Sequence, residues 1–262
     1  MEVYAAMVDC MDQNIGRLVS KLHDKGYFDN TLIMFCADNG GCAEENGTNK
    51  SAAAEDLNSH PITKPMRPGE LQTRMVPLFT RDGRKVRRGR GVMPGPADTY
   101  IAYGLPWANA SNTPFRRYKH WVHEGGIASP LVVHWPAGVD DGMHNQLYHE
   151  PSHLIDFMAT CVDVAEGTYP QDGNGLAITP MQGTSLRPAF RGEELGRKNP
   201  IFFEHEGNRA VREGKWKLVA KGANGPWELY DMDADRTELH DLSSVHKDKT
   251  SQMIDQFEAW SV

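Results

Sequence analysis

The chain has 262 residues, 39% of them hydrophobic and 24% charged, with a net charge of −7. These totals fit one large globular domain, or one domain with a small appendage, and exclude disorder, collagen and a repeat array. The acidic balance argues against nucleic acid as the main partner, and no stretch approaches the ~20 apolar residues of a membrane-spanning helix.

From the N-terminus, Val3, Met7, Ile15, Leu18, Val19 and Leu22 recur at helical spacing, with Asp9, Asp12, Arg17 and Lys21 on the polar face. The spacing predicts an amphipathic helix over residues 2–25, closed by Gly26. No basic region followed by an apolar core opens the chain, so the start does not read as a signal peptide. A chain that begins inside a helix leads us to expect a missing upstream part. Residues 31–37 then form a short, continuous apolar run, the pattern of a strand buried on both faces of a parallel sheet.

Residues 44–114 are polar and rich in Gly and Pro, a long excursion with one hairpin expected near residues 71–90. Within it Arg81, Arg84, Lys85, Arg87, Arg88 and Arg90 are interleaved with Gly83, Gly89 and Gly91. The cluster reads as a solvated, glycine-punctuated loop, or as a positive rim that draws an anionic substrate. A second buried strand is predicted at residues 130–135. A helix follows at 153–164, with Leu154, Phe157, Met158 and Cys161 on one face.

The texture changes near residue 199. Short strands are predicted at 201–203, Asn208–Glu213, Trp216–Ala220 and Trp227–Asp231, with a hairpin turn at Glu213-Gly214. Met253, Ile254, Phe257 and Trp260 share one face of a final helix. The domain expectation is therefore an α/β portion over residues 1–197 and a small antiparallel α+β subdomain over residues 198–262. Cys10, Cys36, Cys42 and Cys161 show no C-x-x-C spacing, so neither a structural zinc site nor a disulfide framework is expected.

Three groups could carry chemistry. Asp38-Asn39-Gly40-Gly41 directly follows the first apolar strand. Asn-Gly is by itself a turn dipeptide, but ligands of open α/β sheets bind at carboxyl ends of strands. There a carboxylate and an amide oxygen are two hard ligands for Ca²⁺ or Mg²⁺. The second group, Lys119-His120-Trp121-Val122-His123-Glu124-Gly125-Gly126, is either a loop entering the next strand or a substrate loop. In the latter case Lys119 offers an ammonium to an anionic oxygen, and His120 and His123 can move protons near neutral pH. The third, Glu204-His205-Glu206-Gly207-Asn208, suggests a metal. Neighbours along a strand point to opposite faces, however, so it reads as a strand end with a turn and at most a minor substrate contact.

Together these segments resemble the sulfatases of the alkaline phosphatase superfamily, and bacterial-type arylsulfatases most closely. The resemblance rests on four segments in order: residues 4–12; residues 29–35 with Asp38-Asn39-Gly40; residues 112–116 with Lys119 and Glu124-Gly125-Gly126; and residues 209–218 with Trp227–Asp231. It implies an α/β fold, part of an alkaline-phosphatase-like mixed sheet flanked by helices. It also implies hydrolysis of a sulfate ester of a small molecule or glycan to an alcohol and sulfate. Asp38 and Asn39 would be two ligands of one Ca²⁺, and Lys119 would bind a sulfate oxygen. His120 and Trp107 would contact the substrate, and His123 or His120 would give a proton to the leaving group.

The family nucleophile is a Cys, or a Ser, in Cys-x-Pro-x-Arg, converted to formylglycine. None of the four cysteines here has that context. Thr63-Lys64-Pro65-Met66-Arg67 has the outline but follows the Asp-Asn pair instead of preceding it, so it reads as coincidence. The family's opening metal aspartates are absent too. The expectation is a C-terminal portion, with formylglycine and the remaining ligands upstream, that is inactive alone. The runner-up functions are a phosphate or phosphonate ester hydrolase of the same superfamily, and a truncated, non-catalytic anion-binding protein. A periplasmic or secreted location is a family expectation. The substrate alcohol and the oligomeric state are left open.

Overall fold

The computed structural model describes residues 1–44, 64–74, 77–89 and 91–261. Thr63 and Arg90 lie outside the described residues. Helix α1 spans Glu2–Asp24, and Gly26 closes it at φ 69° with its N–H on the carbonyl of His23. None of its side chains is buried, and Met7 and Leu18 on its apolar stripe are exposed.

Strand β1 spans Ile33–Cys36. It pairs with β2, Leu131–His134, and the pairing is antiparallel, with Phe35 opposite Val132. The expectation of a parallel strand buried on both faces is therefore corrected. Leu131 and Val133 turn to one side and pack with Leu32 and Trp135 against Leu186, Phe190 and Leu195. Phe35 and Val132, side by side on the other face, are 45% and 59% exposed. An apolar run signals a strand but does not say which faces its partners cover.

Between β1 and β2 the chain makes helix α2, Leu105–Asn112, and the short helix α3, Glu124–Ile127. The expected hairpin is a tight one, with Val86 N–H on the Leu78 carbonyl (2.9 Å) and Thr80 N–H on that of Arg84 (2.7 Å). Its arginines are engaged locally. Arg81 donates to the Glu70 carbonyl, Arg84 pairs with Asp82, and Arg87 forms a two-pronged pair with Asp98.

Helix α4, Ile155–Val164, turns inward a face that only partly matches the one its apolar spacing indicates. Asp156, Ala159 and Thr160 are buried and Phe157 of the expected face packs against the Leu186, Phe190 and Leu195 cluster, whereas Leu154, Met158 and Cys161 are exposed. The Asp156 carboxylate accepts N–H bonds from His153 (2.7 Å) and Thr184 (2.8 Å) and pairs with Arg197. The Thr160 hydroxyl accepts from Leu186 N–H at 2.9 Å. A carboxylate with this many partners stabilises burial, and this overrides a weak apolar stripe.

A two-residue ladder follows, β3 at Asp172–Gly173 with β4 at Leu176–Ala177. The C-terminal unit is a sequential antiparallel sheet: β5, Ile201–His205; β6, Asn208–Glu213; β7, Trp216–Ala220; β8, Trp227–Asp231. Alternation splits it into two faces. On one, Val211, Leu218 and Leu229 pack under Met253 and Phe257 of helix α5, Lys247–Trp260. Each such buried side chain contributes about 1.5–3 kcal/mol. The other face carries Ala210, Val219 and Tyr230 and covers Val122 from the loop before α3. That second face also presents Lys217 and Glu228, and it positions the candidate site. No helix among the described residues is long and apolar enough to cross a membrane.

Candidate functional site

The turn after β1 and the loop before α3 meet backbone to backbone. Gly40 N–H donates to the Gly126 carbonyl at 2.9 Å, and Lys119 N–H donates to the Gly41 carbonyl at 3.0 Å. Gly41 N–H donates to Asn112 Oδ1 at the end of α2 (2.8 Å), and Cys42 N–H to the Tyr103 hydroxyl (2.8 Å). A Cβ at position 40 would stand 1.8 Å from the Gly125 carbonyl oxygen, and one at 126 would stand 1.8 Å from that of Trp121. Glycine is thus required on both sides of the joint. The joint ties the turn that follows Asp38-Asn39 to the loop that carries Lys119, far apart in sequence.

Asp38 is exposed and Asn39 half-buried, and their side chains make no hydrogen bond or ion pair among the described residues. Both end in oxygen donors, which suits a hard cation. Two ligands fill part of the six or more positions that Ca²⁺ takes. The Lys119 ammonium, on a side chain 43% exposed, lies 4.0 Å from Glu44, an ion pair of little strength. Trp107 stands exposed on α2.

His123 is placed differently from Lys119 and His120. Its side chain is 1% exposed, and its Nε2 lies 3.5 Å from Glu228 Oε2 on β8. The same carboxylate oxygen accepts from Arg116 (2.7 Å) and from the Tyr230 hydroxyl (2.6 Å). The His123 hydrogen bond first, then those of Tyr230 and the charge of Arg116, hold the Glu228 carboxyl down to about 2 against the opposing effect of burial. Burial and the Glu228 contact push the Tyr230 hydroxyl well above its usual range.

Glu124, next in the loop, is fixed by the same sheet. Lys217 Nζ donates to Glu124 Oε1 at 2.8 Å and lies 2.8 Å from Glu238 Oε1, while Glu124 N–H donates to Glu238 Oε2 at 3.0 Å. Burial raises the Glu124 carboxyl, but the Lys217 charge and hydrogen bond outweigh it and hold it below the usual range. Lys217, Glu228 and Glu238 were not among the residues expected from sequence. A signal existed for one of them, since Lys217 interrupts the apolar run of β7 and is fully buried there.

His120 sits at φ 97°, with Nδ1 3.1 Å from Glu206 Oε2. Glu206, at φ 50°, belongs to the turn between β5 and β6, so strand alternation ends at His205. That frees His205 and Glu206 to face His120 together, while Glu204 turns back to accept Gly207 N–H. The expectation that Glu204, His205 and Glu206 do not all converge agrees with this arrangement.

Comparison with known proteins matches these elements to one family. Residues 1–168 match the profile described as Sulfatase, and residues 116–260 match the one described as N-sulphoglucosamine sulphohydrolase, C-terminal. An uncharacterized sulfatase of Schizosaccharomyces pombe is 29% identical over 261 residues, covering 97% of this chain and 42% of that protein. An arylsulfatase of Klebsiella aerogenes is 28% identical over 201 residues, covering 73% of this chain and 37% of its own. The crystal structure of Ps i-CgsB in complex with k-i-k-neocarrahexaose superposes with a TM-score of 0.63 at 24% identity, over 98% of this chain and 42% of that one. The chain thus spans about two fifths of the length of the relatives it matches.

Proposed function

Because the chain belongs to the sulfatase family, we propose that it serves as the cation-holding and sulfate-holding C-terminal portion of a sulfate ester hydrolase. The observation that supports this reading is the backbone joint of Gly40 with Gly126 and of Gly41 with Lys119, which ties the turn after Asp38-Asn39 to the loop that carries Lys119. Asp38 and Asn39 supply two oxygen ligands to a Ca²⁺ ion, which when bound opposes negative charge on the sulfuryl oxygens. Lys119 binds a sulfate oxygen and counters the charge that grows there as the ester bond breaks. His120 and Trp107, both reached by solvent, contact the alcohol portion, a small molecule or a glycan. His123 acts as a positioning residue: pinned to Glu228, it holds the loop on which Lys119 stands.

Water attacks the sulfate ester overall, giving the alcohol and sulfate. The covalent route needs a nucleophile, and this sequence holds no Cys-x-Pro-x-Arg, so the nucleophile is assigned to residues outside it. The test is hydrolysis of p-nitrophenyl sulfate with Ca²⁺ present. One sample is this chain, the other the chain preceded by a segment that carries Cys-x-Pro-x-Arg. Turnover in the longer protein alone, lost in Lys119→Ala, supports the reading. Faster turnover of p-nitrophenyl phosphate would assign the chain to phosphate or phosphonate esters instead. Sulfate binding without turnover in the longer protein would leave a non-catalytic anion binder. Turnover by the short chain would mean that a complete site lies within it.

A further inference from the structure

We propose that His120, His205 and Glu206 form a second metal site, different in donor chemistry from Asp38-Asn39, that takes a borderline transition-metal ion such as Zn²⁺. Their ligand atoms all lie within 4.8 Å of one another. The His120 and His205 rings stand 5.5 Å apart at 78°, and His120 Nδ1 is 3.1 Å from Glu206 Oε2. In a tetrahedral zinc centre neighbouring ligand atoms are about 3.3 Å apart, from bond lengths of ~2.0–2.2 Å. The widest separation must therefore close by roughly 1.5 Å to reach that geometry. The room exists, since the His120 and Glu206 side chains are 38% and 68% exposed.

The backbone is already committed to this arrangement. His120 and Glu206 both take left-handed conformations, at φ 97° and 50°, which cost a residue with a side chain about 1–3 kcal/mol each. Both histidines are held by one buried amide: Asn208 Nδ2 donates to the His120 carbonyl at 3.1 Å and to the His205 carbonyl at 3.0 Å. Asn208 Oδ1 in turn accepts Gly222 N–H at 2.9 Å. Asn208 Nδ2 also lies 3.4 Å from His120 Nε2, and a partner behind a ligand ring fixes its orientation in metal sites.

Two imidazoles and one carboxylate select Zn²⁺ or its neighbours over Ca²⁺, which prefers oxygen alone. The fourth position faces solvent and is open to water or an anion. A bound ion would tie the β5–β6 turn to the residue next to Lys119. None of this depends on the sulfatase reading.

The test is a titration of the metal-stripped chain with Zn²⁺ in excess Ca²⁺, by calorimetry, and with Co²⁺ by visible absorption. The proposal expects one saturable Zn²⁺ per chain and the d–d bands of four- or five-coordinate Co²⁺. His205→Ala and Glu206→Gln should each weaken binding by at least about 10- to 100-fold, the range seen when even supporting partners are removed. His144→Ala, outside the trio, and Asp38→Asn should leave it unchanged. Circular dichroism of the metal-free variants checks folding, and Glu206→Gln, at an exposed turn, is the variant expected to keep it. Failure to saturate in Ca²⁺ would overturn the proposal. So would binding that survives both trio variants, or binding lost equally in His144→Ala.

Discussion

Replacing Lys217 with Met should be among the most damaging single changes in the C-terminal sheet. The Lys217 ammonium is buried, 2.8 Å from both Glu124 and Glu238, and the Glu238 carboxylate is itself fully buried. At an effective dielectric of 20, each contact has a gross attraction of about 6 kcal/mol. Desolvation offsets much of that, so the intact cluster adds little net stability. The variant is different, because it leaves the fully buried Glu238 carboxylate without its cation, facing a Glu124 that keeps only Arg236 at 3.5 Å. Breaking a buried pair in this way costs about 3–5 kcal/mol, or roughly two to four powers of ten in the folding equilibrium. Urea unfolding followed by the fluorescence of Trp216 and Trp227 would read this as a lower midpoint at unchanged slope. The triple change Lys217→Met, Glu124→Gln and Glu238→Gln removes the charges together and should recover part of the loss. A single variant within about 1 kcal/mol of the parent, or a triple variant less stable than the single one, would refute the claim that Lys217 is the centre of a buried charge network.

Gly40→Ala should disrupt the joint, because the new Cβ would meet the Gly125 carbonyl oxygen at 1.8 Å. Faster amide exchange at Gly40 and Lys119 would report it, with Gly16→Ala on α1, where nothing lies within 4 Å, as a neutral control. Asp156→Ala should cost about 3–5 kcal/mol by stranding Arg197, again read from the unfolding midpoint. The Glu228 carboxyl is lowered from the ordinary 4.5 to about 2. A depressed carboxyl stabilises the fold fully above the unfolded value and loses that contribution as pH falls. Between pH 4.5 and about 2, stability should therefore decline less steeply in Glu228→Gln than in the parent. In a longer protein that hydrolyses p-nitrophenyl sulfate as proposed, Lys119→Ala should lower kcat/KM by about 10²–10³ with no change in unfolding midpoint.

How far the sequence reveals this molecule depends on where the partner of each signal lies. The strands β5 to β8 and helix α5 are legible because alternation, a Glu-Gly turn and a helical stripe are all local. The partner of β1 is not, since an apolar run carries no label for parallel or antiparallel pairing, and β2 arrives only after the long excursion. The inward face of α4 is only partly legible, through Phe157, for a related reason: the groups that bury Asp156 come from residues 184 and 197, beyond its own helix. Asp38, Asn39 and Lys119 stand out by chemical type. The contact between their loops does not, because it is made by main chain, and main chain leaves no mark on composition. The glycines at 40, 41, 125 and 126 are its trace in sequence.

The antiparallel sheet explains why a loop can hold Lys119 steadily while leaving it available. A four-stranded antiparallel sheet usually gives its polar face to water. Here that face is covered, and Lys217 and Glu228 on it, with Glu238 beyond β8, grip Glu124, His123 and Arg116 in the loop. The gripped residues flank Lys119 on both sides in sequence. Between them, Lys119 and His120 have side chains half out of the protein, and the Lys119 ammonium meets no carboxylate closer than 4.0 Å among the described residues. In the proposed role of Lys119, a sulfate would displace only that weak contact, at a backbone held on both flanks. Preorganisation of that kind lets one ammonium act on developing charge without a reorganisation cost. Loosening the grip at Glu124 or Arg116, with Lys119 itself intact, should then weaken sulfate binding as well as stability.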